Sequence, residues 1–174
     1  MNVQNQFHIH PARSLQDIDT ATALITSYAT SLGIDLSYQD FNTEISQMPG
    51  NYSPQNGGEL LLALKGIPTN APHPDNRSCG CDCTYTDPDV LGCIALRALS
   101  PRVCEVKRLY TRPQARRLGI GRALIDAVIG VARAEGYVEM RLDTLPSMRG
   151  AIALYKSRGF EEIEAYYDSK VPEM

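Results

Sequence analysis

Arg116-Arg117-Leu118-Gly119-Ile120-Gly121-Arg122 stands between a strand-like run ending at Thr111 and a helix-like run beginning at Ile120. The first N–H groups of a helix have no partner within it, and the helix dipole favours negative charge there. Two glycines let the backbone approach a ligand without a Cβ in the way, and the flanking arginines add forked donors. The segment therefore reads as an anion site suited to a phosphate or pyrophosphate. It is not a P-loop, because Arg122 and Ala123 stand where Lys and Ser/Thr would follow the glycines. It also lacks the Gly-x-Gly-x-x-Gly spacing of a dinucleotide fold, since position 124 is leucine.

Working outward, Val103–Thr111 alternates as a strand. Cys104, Val106, Arg108 and Tyr110 are expected on one face, with Val103, Glu105, Lys107, Leu109 and Thr111 on the other. After the turn, Ile120, Leu124, Ile125, Val128, Ile129 and Ala132 form the apolar stripe of a helix that Gly136 stops. A strand over 138–143 follows, then a short helix capped by Ser147 and carrying Ala151, Ile152, Leu154 and Tyr155. A last strand is expected from Phe160 to about Tyr166. Upstream, Ser14 and Asp17 suggest a capping box for a helix over 15–32 that stops at Gly33. Tyr38, Phe41, Ile45 and Met48 suggest a second, shorter helix. Strands are expected over 59–64 and 91–99, with Gly92 a weak point or bulge, and a further short strand around 7–10. The stretch from about 66 to 90 is rich in Pro, Asn, Asp, Thr and Cys and reads as an irregular insertion within a single domain over 1–174. Adjacent strands in the first half imply antiparallel pairing, and helices between strands in the second half imply crossovers.

Composition narrows the function classes. Net charge is −3, yet seven basic residues and one acid, Glu105, fall between Arg102 and Arg122. Such a local block suits a compact anion better than long nucleic acid, so no nucleic-acid partner is expected. No apolar run approaches membrane-spanning length and Met1–His10 has no signal-like pattern, so a cytoplasmic location and no membrane partner are the default expectations. Cys79, Cys81 and Cys83 are separated by single residues, which does not match zinc spacing, and no metal site is expected.

The run from Glu105 to Phe160 resembles the core of the GCN5-related N-acetyltransferase (GNAT) superfamily. The resemblance rests on Glu105-Val106-Lys107-Arg108-Leu109-Tyr110-Thr111, on Arg116-Arg117-Leu118-Gly119-Ile120-Gly121, and on Ala153-Leu154-Tyr155-Lys156-Ser157-Arg158-Gly159-Phe160. It implies an α/β fold with a mixed central sheet flanked by helices, and transfer of an acetyl group from acetyl-CoA to the amine of a small molecule or peptide. The family motif falls on Arg116, Gly119 and Gly121; the backbone amides from about Arg117 to Arg122 would hold the CoA pyrophosphate, and Leu109, Tyr110 and Thr111 would pair with the pantetheine arm. Arg117 departs from the glycine that many members have. Tyr155 resembles the tyrosine that protonates the departing thiolate, and Glu105 the carboxylate that serves as base, with a salt bridge to Lys107 or Arg108 as the rival role. A catalytically silent CoA-binding sensor or structural protein is the alternative. After Tyr167 only Asp168–Met174 remain for the further strand that usually closes this sheet; an unpaired edge would favour a homodimer.

Overall fold

Alternation within the central strands decides what lies above and below the sheet. In β2 (Glu59–Lys65), Leu61 and Ala63 face one side while Leu60, Leu62 and Leu64 face the other. In β3 (Val90–Ser100), Ile94 and Leu96 share the first side, and Cys93 and Ala95 the second. Burial on both faces explains why these strands read as continuous apolar runs. A computed structural model describes residues 7–33, 41–66 and 89–166, and everything structural below concerns those residues. The insertion, with Cys79, Cys81 and Cys83, and Tyr38 of the second helix lie outside them.

The remaining elements are β1 (Phe7–Pro11), α1 (Leu15–Leu32), α2 (Phe41–Ser46), β4 (Val103–Thr111), α3 (Ile120–Ala134), β5 (Glu139–Leu142) and α4 (Arg149–Lys156). The sheet has the order β1-β2-β3-β4-β5, antiparallel except for the parallel β4–β5 pair that the α3 crossover joins. One face carries α3, whose Ile120, Leu124, Ile125, Val128 and Ala132 are buried against β2, β3 and β4. The other carries α1, through Ala21, Leu24 and Ile25, together with Tyr52. Ser14 caps α1 with the expected box: its Oγ accepts from the Asp17 amide at 3.1 Å, and its own amide donates to Asp17 Oδ2 at 2.9 Å. Leu124 is fully enclosed. Leu124→Ala should therefore lower unfolding free energy by about 2–5 kcal/mol, read as a shift in the urea midpoint at constant slope.

Three expectations need correction. The alternation of β4 does not run through: Cys104 and Val106 face α3, but Tyr110 lies in the core on the α1 side. The parity flips at a bulge, where the register passes from Ala95↔Lys107 to Cys93↔Tyr110 and Arg108 takes φ 58. Beyond it Gly92 pairs with Thr111, so close that a Cβ there would sit 2.5 Å from the Tyr110 carbonyl oxygen. Second, Ser147 does not cap α4; the helix starts at Arg149 with Met148 at the N-cap and no side-chain hydrogen bond. Third, 160–166 forms no strand. A strand needs a ladder, and Glu161–Ala165 are exposed with none beside them among the described residues. The segment is tied at its ends instead, by Phe160 N–H to the Tyr155 carbonyl (3.2 Å) and by the Tyr166 hydroxyl to Glu105 (2.7 Å).

Candidate active site

The ladder between β4 and β5 runs from Val103↔Glu139 to Val106↔Leu142 and ends there. Leu109, Tyr110 and Thr111 follow just beyond the bulge and have no β5 partner on that edge among the described residues. Tyr110 and Thr111 pair with β3 on one edge, and backbone groups turned to the other edge would suit an extended ligand lying between β4 and β5. Tyr110 is itself anchored, its ring tilted against Tyr28 of α1 at 5.6 Å between centroids.

A single turn at Pro113–Ala115 then delivers the chain to the start of α3. Gly119 is the N-cap at φ 82, and α3 begins with no side-chain cap and no acid in its first turn. A side-chain cap or an acid would compete with an anion for the same N–H groups. Arg117 also has a positive φ, 66, the region glycine favours. This accounts for glycine being the familiar residue there and shows that arginine is accommodated in the same backbone shape. Arg116, Arg117, Leu118, Gly119 and Arg122 are exposed, Gly121 is half-buried and Ile120 is in the core. The seven residues thus divide into a hydrophobic anchor and an open, donor-rich rim.

Tyr155 sits on α4 with 9% of its surface exposed, its ring edge-on to Phe160 at 5.8 Å. Burial pushes its phenol pKa up, and Tyr28 and Asp143 nearby add to the shift. The hydroxyl is therefore held protonated across the neutral range. It borders a cavity of about 490 Å³ lined in part by Leu142, Asp143, Ile152, Phe160, Ile163 and Tyr166.

Glu105 is fully buried. Oε2 accepts from Arg97 Nε at 2.6 Å and Oε1 from the Tyr166 hydroxyl at 2.7 Å, with Lys107 Nζ at 4.0 Å from Oε1. Of the two partners expected from sequence, Lys107 pairs with Glu105 at 4.0 Å and Arg108 does not; the shorter salt bridge comes from Arg97, across the β3–β4 ladder. Lys107 leans to Asp143 at 3.1 Å, which joins β4 to the end of β5. Arg108 turns the other way, onto α2. Its Nε and Nη2 donate to Glu44 at 2.8 and 2.6 Å, its guanidinium lies 5.1 Å over the Phe41 ring, and the Tyr52 hydroxyl donates to Glu44 Oε1 at 2.8 Å. Burial opposes ionisation of Glu44, but the Arg108 bonds and charge hold its carboxyl below the usual range.

The structure thus brings Glu105, Lys107, Asp143 and Tyr155 around the divergence of β4 and β5, with the α3 turn at the far end of β4. Sequence reading missed Glu44, Arg97 and Tyr166. Each is identified by a partner distant in the chain or across a ladder, and no local spacing signals it. Among the described residues there is no group of three or more His, Cys, Asp or Glu that could hold a metal ion, and no helix long and apolar enough to cross a membrane.

Residues 48–160 match the model of a family described as "Acetyltransferase (GNAT) family". An uncharacterised N-acetyltransferase of Schizosaccharomyces pombe is 32% identical over 158 residues, spanning 90% of this chain and 84% of that one. Another, from Dictyostelium discoideum, is 25% identical over 87% of this chain and 88% of its own. The fold is similar to a crystal structure of an acetyltransferase from Streptococcus agalactiae, with TM-score 0.67, 21% identity and coverage of 97% and 93%. It is also similar to a predicted acetyltransferase from Clostridium acetobutylicum crystallised with acetyl-CoA, with TM-score 0.66, 14% identity and coverage of 94% and 95%.

Proposed function

The chain belongs to the GNAT acetyltransferase family, whose chemistry is acetyl transfer from acetyl-CoA, and we propose that it acetylates a primary amine of a small molecule or peptide by direct attack. The observation that carries this reading is the continuity of one donor track. Strand β4 is released from β5 at Leu109–Thr111 and leads straight to the uncapped α3 start with Gly119 at φ 82.

The residues present fit acetyl-CoA. The amides between Arg117 and Arg122 suit its pyrophosphate, the side chains of Arg116, Arg117 and Arg122 add positive charge, and the Leu109–Thr111 backbone suits an extended arm with amide groups. When bound, acetyl-CoA supplies the acetyl group already activated as a thioester. Tyr155 Oη keeps its proton through burial and can give it, or a hydrogen bond, to a thiolate as it departs. An amine must be neutral to attack. Asp143, Glu161, Glu162 and Glu164 line the cavity; Asp143, whose charge reaches Tyr155 and whose side chain retains 35% of its surface, is assigned to meet the amine's proton. Glu105 has both oxygens engaged and no exposed surface, so its part is to hold Arg97 and Lys107 in place.

The test is release of free CoA thiol from acetyl-CoA in the presence of a panel of small amines and peptides. Thiol release that depends on one class of amine is expected. Tight acetyl-CoA binding with no turnover on any amine would instead establish a silent CoA-binding protein. Gly119→Val places a β-branched residue at φ 82, a backbone region such side chains avoid. It should weaken acetyl-CoA binding by about tenfold or more in calorimetric titration, given that strain of this kind costs on the order of 1–3 kcal/mol.

A further inference from the structure

Helix α2 has six residues and none of them is buried. A helix this short is not stable alone, so something outside it must hold it. Phe41 and Ile45 rest partly on the core of the α1 face. The polar attachment converges on Arg108, which makes the paired bonds to Glu44 and lies over Phe41, while Tyr52 closes the other side of Glu44. The Arg108 side chain retains only 4% of its surface and that of Glu44 16%, so the pair is largely withdrawn from solvent.

Arg108 is at the same time the residue on which β4 breaks. Its φ of 58 makes the bulge that separates the β5-paired half of β4 from Leu109–Thr111. The backbone of one residue thus shapes this edge of β4 while its side chain holds α2 on the α1 side of the sheet. Few routes between two sides of a sheet are so short, because no intermediate residue is needed.

We propose that Arg108 is a positioning residue that couples the two sides, so that occupation of the donor edge of β4 tightens α2 against the sheet through Glu44. The proposal rests on the reading of Leu109–Thr111 and the α3 start as the donor site. Glu44, on this account, acts through Arg108 and touches neither substrate.

Hydrogen exchange of the full chain, with and without saturating coenzyme A, tests it directly. Exchange should slow both over 120–125 and over 41–46, the latter by about fivefold or more, the lower end of ordinary coupling between sites. In Glu44→Gln, coenzyme A should still slow 120–125 while the response of 41–46 is lost. Should Glu44→Gln not fold, Tyr52→Phe removes one bond to Glu44 and leaves the Arg108 pair, and should weaken the same response. Slowing of 120–125 with 41–46 unchanged in the unaltered protein, or an undiminished response of 41–46 in the variants, would overturn the coupling. No slowing of 120–125 would overturn the donor-site reading and the coupling with it.

Discussion

Tyr155→Phe should reduce the turnover of acetyl transfer by about a hundredfold or more, the ordinary contribution of a positioned proton donor, while acetyl-CoA affinity stays within about twofold. The phenyl ring keeps the packing on Phe160 and the seat on α4, so the variant should fold as the parent does. Only Oη is removed. Because burial moves the phenol upward, the hydroxyl remains protonated through neutral pH and well beyond, and it should not set a basic limb in the physiological range. The folded form binds this proton more tightly than the unfolded one, so any stability Tyr155 contributes through it is present below the unfolded phenol value near 10 and is lost only as pH rises above that. Equal turnover of the two proteins on the best amine would remove Tyr155 from the chemistry and leave it as a core aromatic.

Glu105→Ala should be the most destabilising of the charged-residue changes, by about 3 kcal/mol, since it takes one partner from a buried pair. Three groups lose their acceptor at once: Arg97 Nε, the Tyr166 hydroxyl and, more distantly, Lys107. Arg97 keeps about a third of its side-chain surface and can regain water, which is why the figure is placed at the low end for such pairs. Glu105→Gln retains an oxygen for one of these donors and should cost less. Urea melts of the two variants give the order. The same glutamine variant also separates the two roles of Glu105. As a support for charge it should lose less than about tenfold in turnover, whereas a folded Glu105→Gln protein inactive by a hundredfold or more would make the carboxylate the base.

Much of this molecule is written locally. The α1 capping box joins residues three apart, and the apolar stripe of α3 repeats within single turns, so both can be read without knowing what they pack on. The same holds for the strand, turn and helix around Gly119, where the chemistry of the site is a property of adjacent backbone. The resemblance carried by Glu105–Thr111, Arg116–Gly121 and Ala153–Phe160 gave the family, which the match over 48–160 bears out.

Apart from the cap of α4, which falls on Met148 rather than Ser147, what failed turned on partners distant in the chain. The expected strand over 160–166 had the alternation of a strand but no ladder beside it, and alternation does not supply a neighbour. The even faces of β4 were assigned as if a strand were always regular. The bulge at Arg108 falls where the register with another strand shifts between Cys93 and Ala95, which spacing along β4 does not show. The Glu105–Lys107 pair, two residues apart, was within reach, but Arg97 for Glu105, Glu44 for Arg108 and Asp143 for Lys107 were not, because a charged side chain carries no mark of a distant opposite charge. Sequence alone therefore determined the family, the order of most elements and the strand–turn–helix around Gly119, all of which rest on short-range pattern and backbone conformation. Tertiary structure alone decided which carboxylate is enclosed, which cation ties α2 to the sheet and where the sheet opens. Those outcomes are set by pairings such as Glu44 with Arg108 and Glu105 with Tyr166, 64 and 61 residues apart, that exist only once the sheet has formed.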